Sequence, residues 1–366
     1  MKPFRKHVAI AIDGGGIRGV IPARALAMLE QELGQSAHET FRLTVGTSTG
    51  SIIATGIAAG MSAEQIYQLY LKLGHEIFHP SFRTRFWPFF NYRYPREPLE
   101  NALREVMQDR KLSTLWEAVP RTDTVITTFD VIENRTRFLK PWKPEYSDWT
   151  LVKAVLASAA APTYFPAVDG RFIDGGVGSF NNPCYLAAFE IAFFLSNKKR
   201  GEEKWTPEET TLISLGTGRE ANRIKVGEIN HFLPLQYIGH ILDAFGHSAD
   251  DQQVFLTKTF FHGLDFRRYQ VDLEESISLD SSAQIPKLME YGEKLGHMLL
   301  GNTQDRAMLI VPSGIPAKAD ATSEGAPVKP TKSTSRHQTS KSDSPKKSPP
   351  RTPTKAARAP RTQKPT

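Results

Sequence analysis

Two glycine-rich turns, each between a short apolar run and a helical stretch, constrain the fold more than any other feature of the sequence. The first run is residues 7–12 (HVAIAI), which lead into the turn Asp13–Gly19 and then a helical stretch that begins at Pro22 and is closed by Gly34. A nearly uninterrupted apolar run of this length is typical of a strand that is covered on both faces. Proline near a helix start and glycine just after its end are the usual helix boundaries. The order strand, loop, helix is therefore predicted here.

The same order recurs at the second turn. Residues 41–45 are predicted to form a strand, Gly46–Gly50 a tight turn, and residues 51–59 a helix of small side chains. Further strands are predicted at Thr124–Val131, Arg171–Ile173 and Thr211–Leu215. Because strands alternate with helices, the fold class is predicted to be α/β, with a mainly parallel central sheet and helices on both faces.

Composition divides the chain into two regions. Residues 1–312 contain no linker rich in proline, glycine and serine, and they are predicted to form one domain. Residues 313–366 are predicted to be a disordered basic tail, because the segment from residue 318 onward has no aromatic residue and is rich in Lys, Arg, Pro, Ser and Thr. The net charge of +7 belongs to this tail: twelve bases against three acids give +9 from residue 318, and the other 34 bases against 36 acids give −2. The balance therefore does not mark the folded part as a nucleic-acid binder.

The motif Gly46-Thr-Ser-Thr-Gly50 is the strongest local signal for chemistry. A Gly-x-Ser-x-Gly sequence between a strand and a helix places the serine on a sharp turn, and the two glycines allow the strand and the helix to approach each other. Helix-terminal amides behind the serine favour developing negative charge. Ser48 is therefore a candidate nucleophile. The alternative is a turn of small residues before a packed helix.

The Asp13–Gly19 loop has two competing interpretations. Consecutive glycines before a helix expose backbone N–H groups, which is an arrangement that binds anions. The pattern Gly14-x-Gly16-x-x-Gly19 fits a dinucleotide fingerprint, but the acids about 20 residues further on, Glu30 and Glu32, fall inside a predicted helix rather than at a strand end. The other interpretation is that the loop is an oxyanion hole, which stabilises the negative charge that forms when Ser48 attacks a carbonyl group. We favour this interpretation.

Asp174 is the candidate base. The pair Asp169-Gly170 predicts a tight turn, so that Arg171–Ile173 is a returning strand and Asp174 lies at its end, followed by two glycines. A carboxylate at this place is within reach of a neighbouring loop and is able to accept the serine proton. A simple Asp-Gly turn is the alternative.

Taken together, these motifs resemble the patatin-like phospholipase family, and the resemblance extends from Val8 to about Gly301. Its supporting segments fall in the order that the family shows. The segments are Asp13–Gly19, Gly46–Gly50, Ala157–Pro166, Asp174–Gly176, Asn181–Pro183 and Ser214–Gly218.

The resemblance implies a three-layer patatin-like fold and hydrolysis of phospholipid acyl esters. It implies a dyad in which Ser48 is the nucleophile and Asp174 is the base. It further implies an oxyanion hole made by Gly14, Gly15, Gly16 and Arg18. Some bacterial members that share these motifs are antiphage effectors activated by cyclic oligonucleotides, so the resemblance also suggests such an activator for this chain. No cofactor is expected, and no spacing typical of metal ligands is visible.

Several alternatives remain at this point. A lipid acyltransferase, a nucleotide-binding protein that uses the Gly14–Gly19 loop, and a pseudoenzyme scaffold are all compatible with the motifs. Sequence order also permits a histidine to complete a Ser-Asp-His triad, although none lies beside a recognisable catalytic loop. The histidines after Asp174 in the folded part are His231, His240, His247, His262 and His297.

The expected location is the cytoplasm, with peripheral contact at the inner face of the membrane during activity. A single cysteine, Cys184, fits a reducing compartment, and the longest apolar stretch, residues 185–195, is too short to span a bilayer. The segment Phe78–Tyr94 mixes aromatic residues with arginines and is a candidate lid or membrane-docking element; the alternative is a buried aromatic cluster that caps the site. The basic tail is a second candidate for membrane contact. Residues 219–311 are the candidate region for regulation or for self-assembly into a homo-oligomer.

Overall fold

In the computed structural model, the described residues are 2–78, 91–118, 121–197, 204–220, 227–231 and 234–301, without the side chains of residues 75, 234–243 and 245. The chain divides into two units, residues 1–315 and residues 316–366. The predicted tail, residues 313–366, lies outside the described residues, so its disorder stays a prediction. Among the helices of the described residues, none is both long and apolar enough to cross a membrane.

A seven-stranded sheet forms the centre of the described part of the chain. The strands are β1 (His7–Ile12), β2 (Leu43–Thr47), β3 (Asp123–Asp130), β4 (Arg135–Leu139), β5 (Phe172–Asp174), β6 (Thr210–Leu215), β7 (Arg219–Glu220), β8 (Asp265–Tyr269) and β9 (Asp272–Leu273). In the seven-stranded sheet the strand order is β4-β3-β2-β1-β6-β8, and β5 also pairs with β3. The pairs β3-β2, β2-β1, β1-β6 and β6-β8 are parallel, whereas β4 and β5 are antiparallel to β3. The strands β7 and β9 form a separate small parallel sheet.

Helices lie on both faces of the sheet. The first strand shows this directly, because Ile10 and Ile12 belong to one buried apolar cluster, whereas Ala9 and Ala11 belong to another. Since β1 is covered on both faces, every one of its positions is buried, which explains its nearly uniform apolar sequence. The helices are α1 (Val20–Leu33), α2 (Ala37–Thr40), α3 (Thr49–Ala58), α4 (Ala63–Ile77), α5 (Glu97–Met107), α6 (Leu112–Glu117), α7 (Leu151–Ala159), α8 (Cys184–Phe189), α9 (Pro234–Phe260) and α10 (Ile285–Leu300).

The predicted α/β class, with a mainly parallel sheet between two helical layers, is confirmed. The first strand-loop-helix segment agrees with its prediction at both ends. Strand β1 has the predicted bounds, and α1 ends just before Gly34, whose φ of 61° is the left-handed conformation that glycine adopts easily. The Asp169–Gly170 turn is also present, with positive φ at both residues. Strands β4 and β8 were not predicted from the sequence.

Candidate active site

Ser48 lies on a strained turn between β2 and α3. Its φ of 53° and ψ of −123° are unusual for a residue with a side chain. The flanking glycines permit the turn: a Cβ on Gly46 would lie 2.2 Å from the carbonyl oxygen of Gly50, and a Cβ on Gly50 would lie 2.2 Å from that of Ile12. The strand and the helix therefore meet more closely than any larger residue allows, as the Gly-x-Ser-x-Gly spacing predicts.

Helix α7 holds the backbone of this turn from the other side. The N–H of Ser48 donates a hydrogen bond of 2.8 Å to the side-chain oxygen of Ser158, which is fully buried near the C-terminal end of the helix. Within the turn, the Ser51 hydroxyl donates to the carbonyl oxygen of Ser48. The unusual backbone conformation of Ser48 is thus fixed by hydrogen bonds on both sides of its Cα.

Asp174 is the last residue of β5, and it is buried beside Ser48. Its backbone pairs with Thr128 on β3, and its N–H donates to the carbonyl oxygen of Ala160 at 3.0 Å. The N–H of Gly176 donates to its side chain at 2.7 Å. Burial raises the pKa of Asp174 to about 6, while hydrogen bonds from the Ser48 hydroxyl and from the Gly176 N–H partly oppose this rise. The carboxyl group is therefore a stronger base than an exposed aspartate.

The glycine loop lies beside Ser48, and the backbone N–H groups of its first three glycines differ in their hydrogen bonding. The N–H of Gly14 donates to the carbonyl oxygen of Asn181 at 3.0 Å, so this amide is already engaged and is not available to an oxyanion. In the described part of the chain, the N–H groups of Gly15 and Gly16 have no hydrogen-bond acceptor. Of the three amides predicted to form an oxyanion hole, only those of Gly15 and Gly16 are therefore free to bind an oxyanion, and the hole itself stays a prediction.

Arg18 lines the same cavity as Ser48, and its guanidinium group is paired with a carboxylate. Its side chain is mostly buried and forms an ion pair of 3.2 Å with Glu220. Burial lowers the pKa of Arg18, and the Glu220 carboxylate opposes this effect. The geometry therefore gives Arg18 a partner outside the Ser48–Asp174 pair, and a direct role at an oxyanion stays a prediction.

A cavity of about 350 Å³ contains the predicted site residues. Ser48, Asp174, Gly14, Gly15, Gly16 and Arg18 all line it. Most of its other walls are apolar, which suits a hydrocarbon chain. The apolar side chains are Ile17, Ile52, Leu73, Ile77, Phe78, Leu99, Ala159, Ala161, Pro162, Phe165, Val177 and Leu279.

Two aromatic residues of the predicted lid segment lie at this cavity or beside it. Phe78 lines the cavity and packs edge-on against Tyr94, with ring centroids 5.3 Å apart; both rings approach Phe165. Residues 79–90, which carry most of the predicted lid or docking element, lie outside the described residues. The two described ends of the segment thus belong to an aromatic cluster at the site.

An ion pair that sequence reasoning missed anchors the glycine loop. Both carboxylate oxygens of Asp13 accept hydrogen bonds from Arg268 on β8, and Arg268 also donates to the Ser214 hydroxyl. Both ionic side chains are almost completely buried. Because the partners are far apart in the sequence, the only local signal was an aspartate just after β1.

Two alternatives find little support in this geometry. No histidine lines the cavity among the residues whose side chains the structure describes, so no Ser-Asp-His triad is seen there. The acid that a dinucleotide site needs is also misplaced, because Glu30 lies within α1 and accepts hydrogen bonds from the N–H groups of Ala37 and Ala63. The described part of the chain contains no cluster of three or more His, Cys, Asp or Glu side chains arranged to hold a metal ion.

Comparison with known proteins identifies the family. The patatin-like phospholipase family model matches residues 10–188, a range that includes the glycine loop, Ser48 and Asp174. The chain therefore carries a domain of the patatin-like phospholipase family, and the family predicted from the motifs is confirmed.

Three relatives illustrate the similarity. The chain is 30% identical over 206 residues to a cGAMP-activated phospholipase of Vibrio cholerae, covering 50% of this chain and 57% of the relative. It is 32% identical over 204 residues to a cGAMP-activated phospholipase of Pseudomonas aeruginosa, covering 53% and 59% respectively. It is 28% identical over 295 residues to an intracellular phospholipase A2 of Caenorhabditis elegans, covering 75% and 26%. The chain thus spans less than two thirds of the length of each of these relatives.

Solved structures are more distant. VipD of Legionella pneumophila matches with 11% identity and a TM-score of 0.40, covering 82% of this chain and 67% of that chain. ExoU of Pseudomonas aeruginosa, in its complex with SpcU, matches with 18% identity and a TM-score of 0.33, covering 70% and 52%. Both TM-scores lie below 0.5, a level too low to establish a shared fold.

Proposed function

We propose that this protein is a serine lipid acyl hydrolase that cleaves phospholipid acyl esters through Ser48 and Asp174. The observation that carries the proposal is one shared cavity, in which a serine on a strained turn lies beside a buried carboxyl group of raised pKa and a largely apolar wall. The phospholipase names of the family and of the relatives support the same reaction class.

The chemistry follows from the roles of these two side chains. Asp174 accepts the proton of the Ser48 hydroxyl as its oxygen attacks the ester carbonyl carbon and forms a tetrahedral intermediate. Collapse of the intermediate breaks the bond to the leaving alkoxide, which takes the proton from Asp174 and departs as a lysolipid. Water then attacks the acyl-serine, with Asp174 as base, and releases the fatty acid and free Ser48.

The intermediate carries a negative oxygen that needs donors close by. In this proposal, the N–H groups of Gly15 and Gly16 supply them, since neither has an acceptor in the described part of the chain. Removal of one such donor costs roughly 3 to 4 kcal/mol in other enzymes. Asp13, held by Arg268, fixes the start of the loop that presents these amides.

The apolar wall of the cavity suggests where the acyl chain lies. Leu73, Ile77 and Leu99 line the cavity together with Ser48, so a chain whose ester carbon is next to Ser48 extends along them. Burial of hydrocarbon there is favoured by about 25 cal/mol per Å² of apolar surface. The proposed substrates are therefore long-chain acyl esters.

Covalent labelling tests the nucleophile without knowledge of the lipid. A fluorophosphonate probe is expected to label the wild type and not Ser48→Ala, with slower labelling of Asp174→Asn. Ser276→Ala, which changes an exposed serine, is the matched control and is expected to label normally. A pseudoenzyme predicts no labelling of any variant, and that result would overturn the proposal.

Acyl transfer is a second outcome of the same chemistry. If a lipid alcohol replaces water at the acyl-Ser48 stage, the product is a new ester rather than a free fatty acid. Adding a lysolipid acceptor to the assay separates the two reactions, because hydrolysis releases fatty acid in either case, whereas transfer yields a diacyl product only with the acceptor present.

Activation by a cyclic oligonucleotide is proposed from the relatives alone. Two of them are named as cGAMP-activated phospholipases, and they match this chain with 30% and 32% identity. We expect cGAMP or a related cyclic dinucleotide to increase the rate of fatty acid release, and we expect this activity to serve antiphage defence. Unchanged rates across a panel of cyclic dinucleotides would remove this part of the proposal.

Peripheral contact with a membrane surface is also proposed, with the cytoplasmic face as the site of action. The candidate elements are Phe78–Tyr94 and the basic residues 318–366. Deletion of residues 318–366 is expected to leave turnover of a soluble ester intact while weakening binding to anionic vesicles. A homo-oligomer is a further proposal, which light scattering of the full chain tests.

A further inference from the structure

A second cavity, of about 490 Å³, lies next to the apolar cavity that contains Ser48, and we call it the polar cavity. The two cavities share part of their walls. Gly14 is among the shared residues and is adjacent to the nucleophile, since a Cβ on Gly14 would lie 3.2 Å from the Cβ of Ser48. A molecule whose ester lies at Ser48 is therefore able to extend into both cavities. The shared residues are Gly14, Arg18, Tyr164, Gly176, Asn181 and Leu279.

The polar cavity differs from its neighbour in charge. Four carboxylates and three guanidinium groups line it, together with His247. Three ion pairs connect them: Arg268 with Asp13, Arg18 with Glu220 at 3.2 Å, and Arg219 with Asp251 at 3.4 Å. The fourth carboxylate, Asp250, forms no ion pair with any described residue.

Asp250 is nevertheless held in place at the cavity wall. It accepts hydrogen bonds from the side chain of Asn181 at 3.2 Å and from the backbone N–H of Asn182 at 3.1 Å. Burial raises its pKa, and the positive charge of Arg268 opposes the rise. Among the cationic side chains of the cavity, Arg18 has a buried Nε without a hydrogen-bond partner in the described part of the chain. The polar cavity thus has one carboxylate without a cation partner among the described residues, and the guanidinium of Arg18 lies where the two cavities meet.

We propose that the polar cavity is the subsite for the headgroup of a zwitterionic phospholipid, with its amine facing Asp250 and Asp251 and its phosphate facing Arg18. This inference rests on the proposed function, because it places the scissile ester at Ser48. An apolar cavity that contains the nucleophile and a charged cavity that shares part of its wall match the two halves of one lipid molecule. A headgroup that carries phosphate but no amine leaves the surplus carboxylate without a cation.

Headgroup preference tests the inference. Fatty acid release is measured from phosphatidylethanolamine and from phosphatidylglycerol, each at the same mole fraction in neutral-detergent micelles, and the ratio of the two kcat/KM values is compared among variants. Asp251→Asn removes one carboxylate and keeps the size of the side chain. We expect the ratio to fall by about two- to fivefold, the effect of a partly exposed charge contact. Glu220→Gln is the second variant and is expected to lower the ratio too, because it leaves the positive charge of Arg18 free.

The matched control is Asp148→Asn, which makes the same chemical change at a side chain that is 83% exposed and does not line the cavity. It is expected to leave the ratio unchanged. An unchanged ratio in both Asp251→Asn and Glu220→Gln, in variants that unfold at the wild-type temperature, overturns the subsite alone. If Asp251→Asn weakens activation by cGAMP and leaves the ratio unchanged, the cavity is an effector site and the headgroup assignment is wrong. Absence of fatty acid release from both lipids by the wild type, both with and without a panel of cyclic dinucleotides, overturns the proposed function together with the subsite.

Discussion

The side-chain oxygen of Ser158 accepts a hydrogen bond from the backbone N–H of Ser48 at a distance of 2.8 Å. Ser158 is near the end of α7, and two residues later the carbonyl oxygen of Ala160 accepts the N–H of Asp174. The end of one helix therefore fixes the backbone of both members of the proposed dyad. Their relative position depends on this helix terminus as much as on the strands that carry them.

Replacement of Ser158 is expected to disturb the nucleophile without touching the substrate. Ser158→Ala leaves the buried N–H of Ser48 without an acceptor, which costs about 1 to 3 kcal/mol in the free energy of unfolding. We expect kcat for a soluble ester to fall more than KM changes, because the strained turn loses the hydrogen bond that holds the backbone of Ser48. Denaturant unfolding and steady-state kinetics measure the two effects, and Ser276→Ala is the exposed control. Wild-type values of both quantities in Ser158→Ala would refute this role.

The raised pKa of Asp174 predicts the pH dependence of activity. Because the carboxylate form is the base, kcat/KM for a soluble ester is expected to rise as pH increases through about 6 and to level off above it. An exposed aspartate would instead give a profile that is flat from pH 5 to pH 8. A flat profile over this range would therefore contradict the assignment.

The same shift predicts a pH dependence of stability with a definite sign. The pKa of Asp174 is about 6 in the folded protein against 3.8 ordinarily, so this group favours the folded state below about pH 4, and its contribution is lost as pH rises through 6. In Asp174→Asn the contribution does not titrate, and the amide oxygen is still able to accept the Gly176 N–H. The stability of the variant relative to the wild type is expected to increase from pH 4 to pH 8, by at most roughly 3 kcal/mol. Urea unfolding at both pH values measures it, and a constant or decreasing difference would show that burial does not disfavour the carboxylate.

The buried pair of Asp13 and Arg268 makes a prediction about the glycine loop. Arg268→Met leaves the Asp13 carboxylate buried without a cation, which is expected to lower the free energy of unfolding by about 3 to 5 kcal/mol. Adding Asp13→Asn removes the unpaired charge, so the double variant is expected to recover part of the loss. Thermal and denaturant unfolding of the two single variants, Arg268→Met and Asp13→Asn, and of the double variant test this coupling. Strictly additive effects would show that the two side chains do not depend on each other.

Gly15 is expected to tolerate no side chain. A Cβ at this position would lie 2.3 Å from the hydroxyl oxygen of Thr217 and 2.6 Å from its Cβ, so the loop would have to move. A displacement of about 1 Å in a catalytic group costs on the order of 100-fold in rate, and we expect a loss of this size in kcat for Gly15→Ala. Adding Thr217→Gly removes the clashing atoms and is expected to restore part of the rate. Full activity of Gly15→Ala would argue against Gly15 as an oxyanion donor.

Local sequence signals predicted the parts of the fold that depend on local geometry. Both glycine-rich turns, strand β1 and the end of α1 at Gly34 follow from side-chain size and backbone freedom, which a short window of sequence contains. The same signals placed Ser48 and Asp174 at strand ends, and the structure brings the two side chains to one cavity.

The features that were not predicted depend on contacts between distant segments. Strand β8 has the polar sequence DFRRY, yet Arg268 is buried because it pairs with the distant Asp13. Arg267 is buried as well: it pairs with Asp265 on the same strand, and it donates hydrogen bonds to the carbonyl oxygens of residues 2 and 3 near the start of the chain. A pattern of hydrophobicity cannot reveal a strand whose charges are neutralised by partners elsewhere in the chain. The engagement of the Gly14 amide by Asn181 is likewise a long-range contact.

The most direct test of the proposed dyad is a mass-spectrometric lipid hydrolysis assay of the wild type, Ser48→Ala and Asp174→Asn, with and without cGAMP. The wild type is expected to release fatty acid and lysolipid in equal amounts, and each variant is expected to lose at least about 1,000-fold in rate. A cooperative unfolding transition of each variant shows that the variant is folded. Equal rates in all three proteins, or wild-type turnover in Ser48→Ala, would contradict the account.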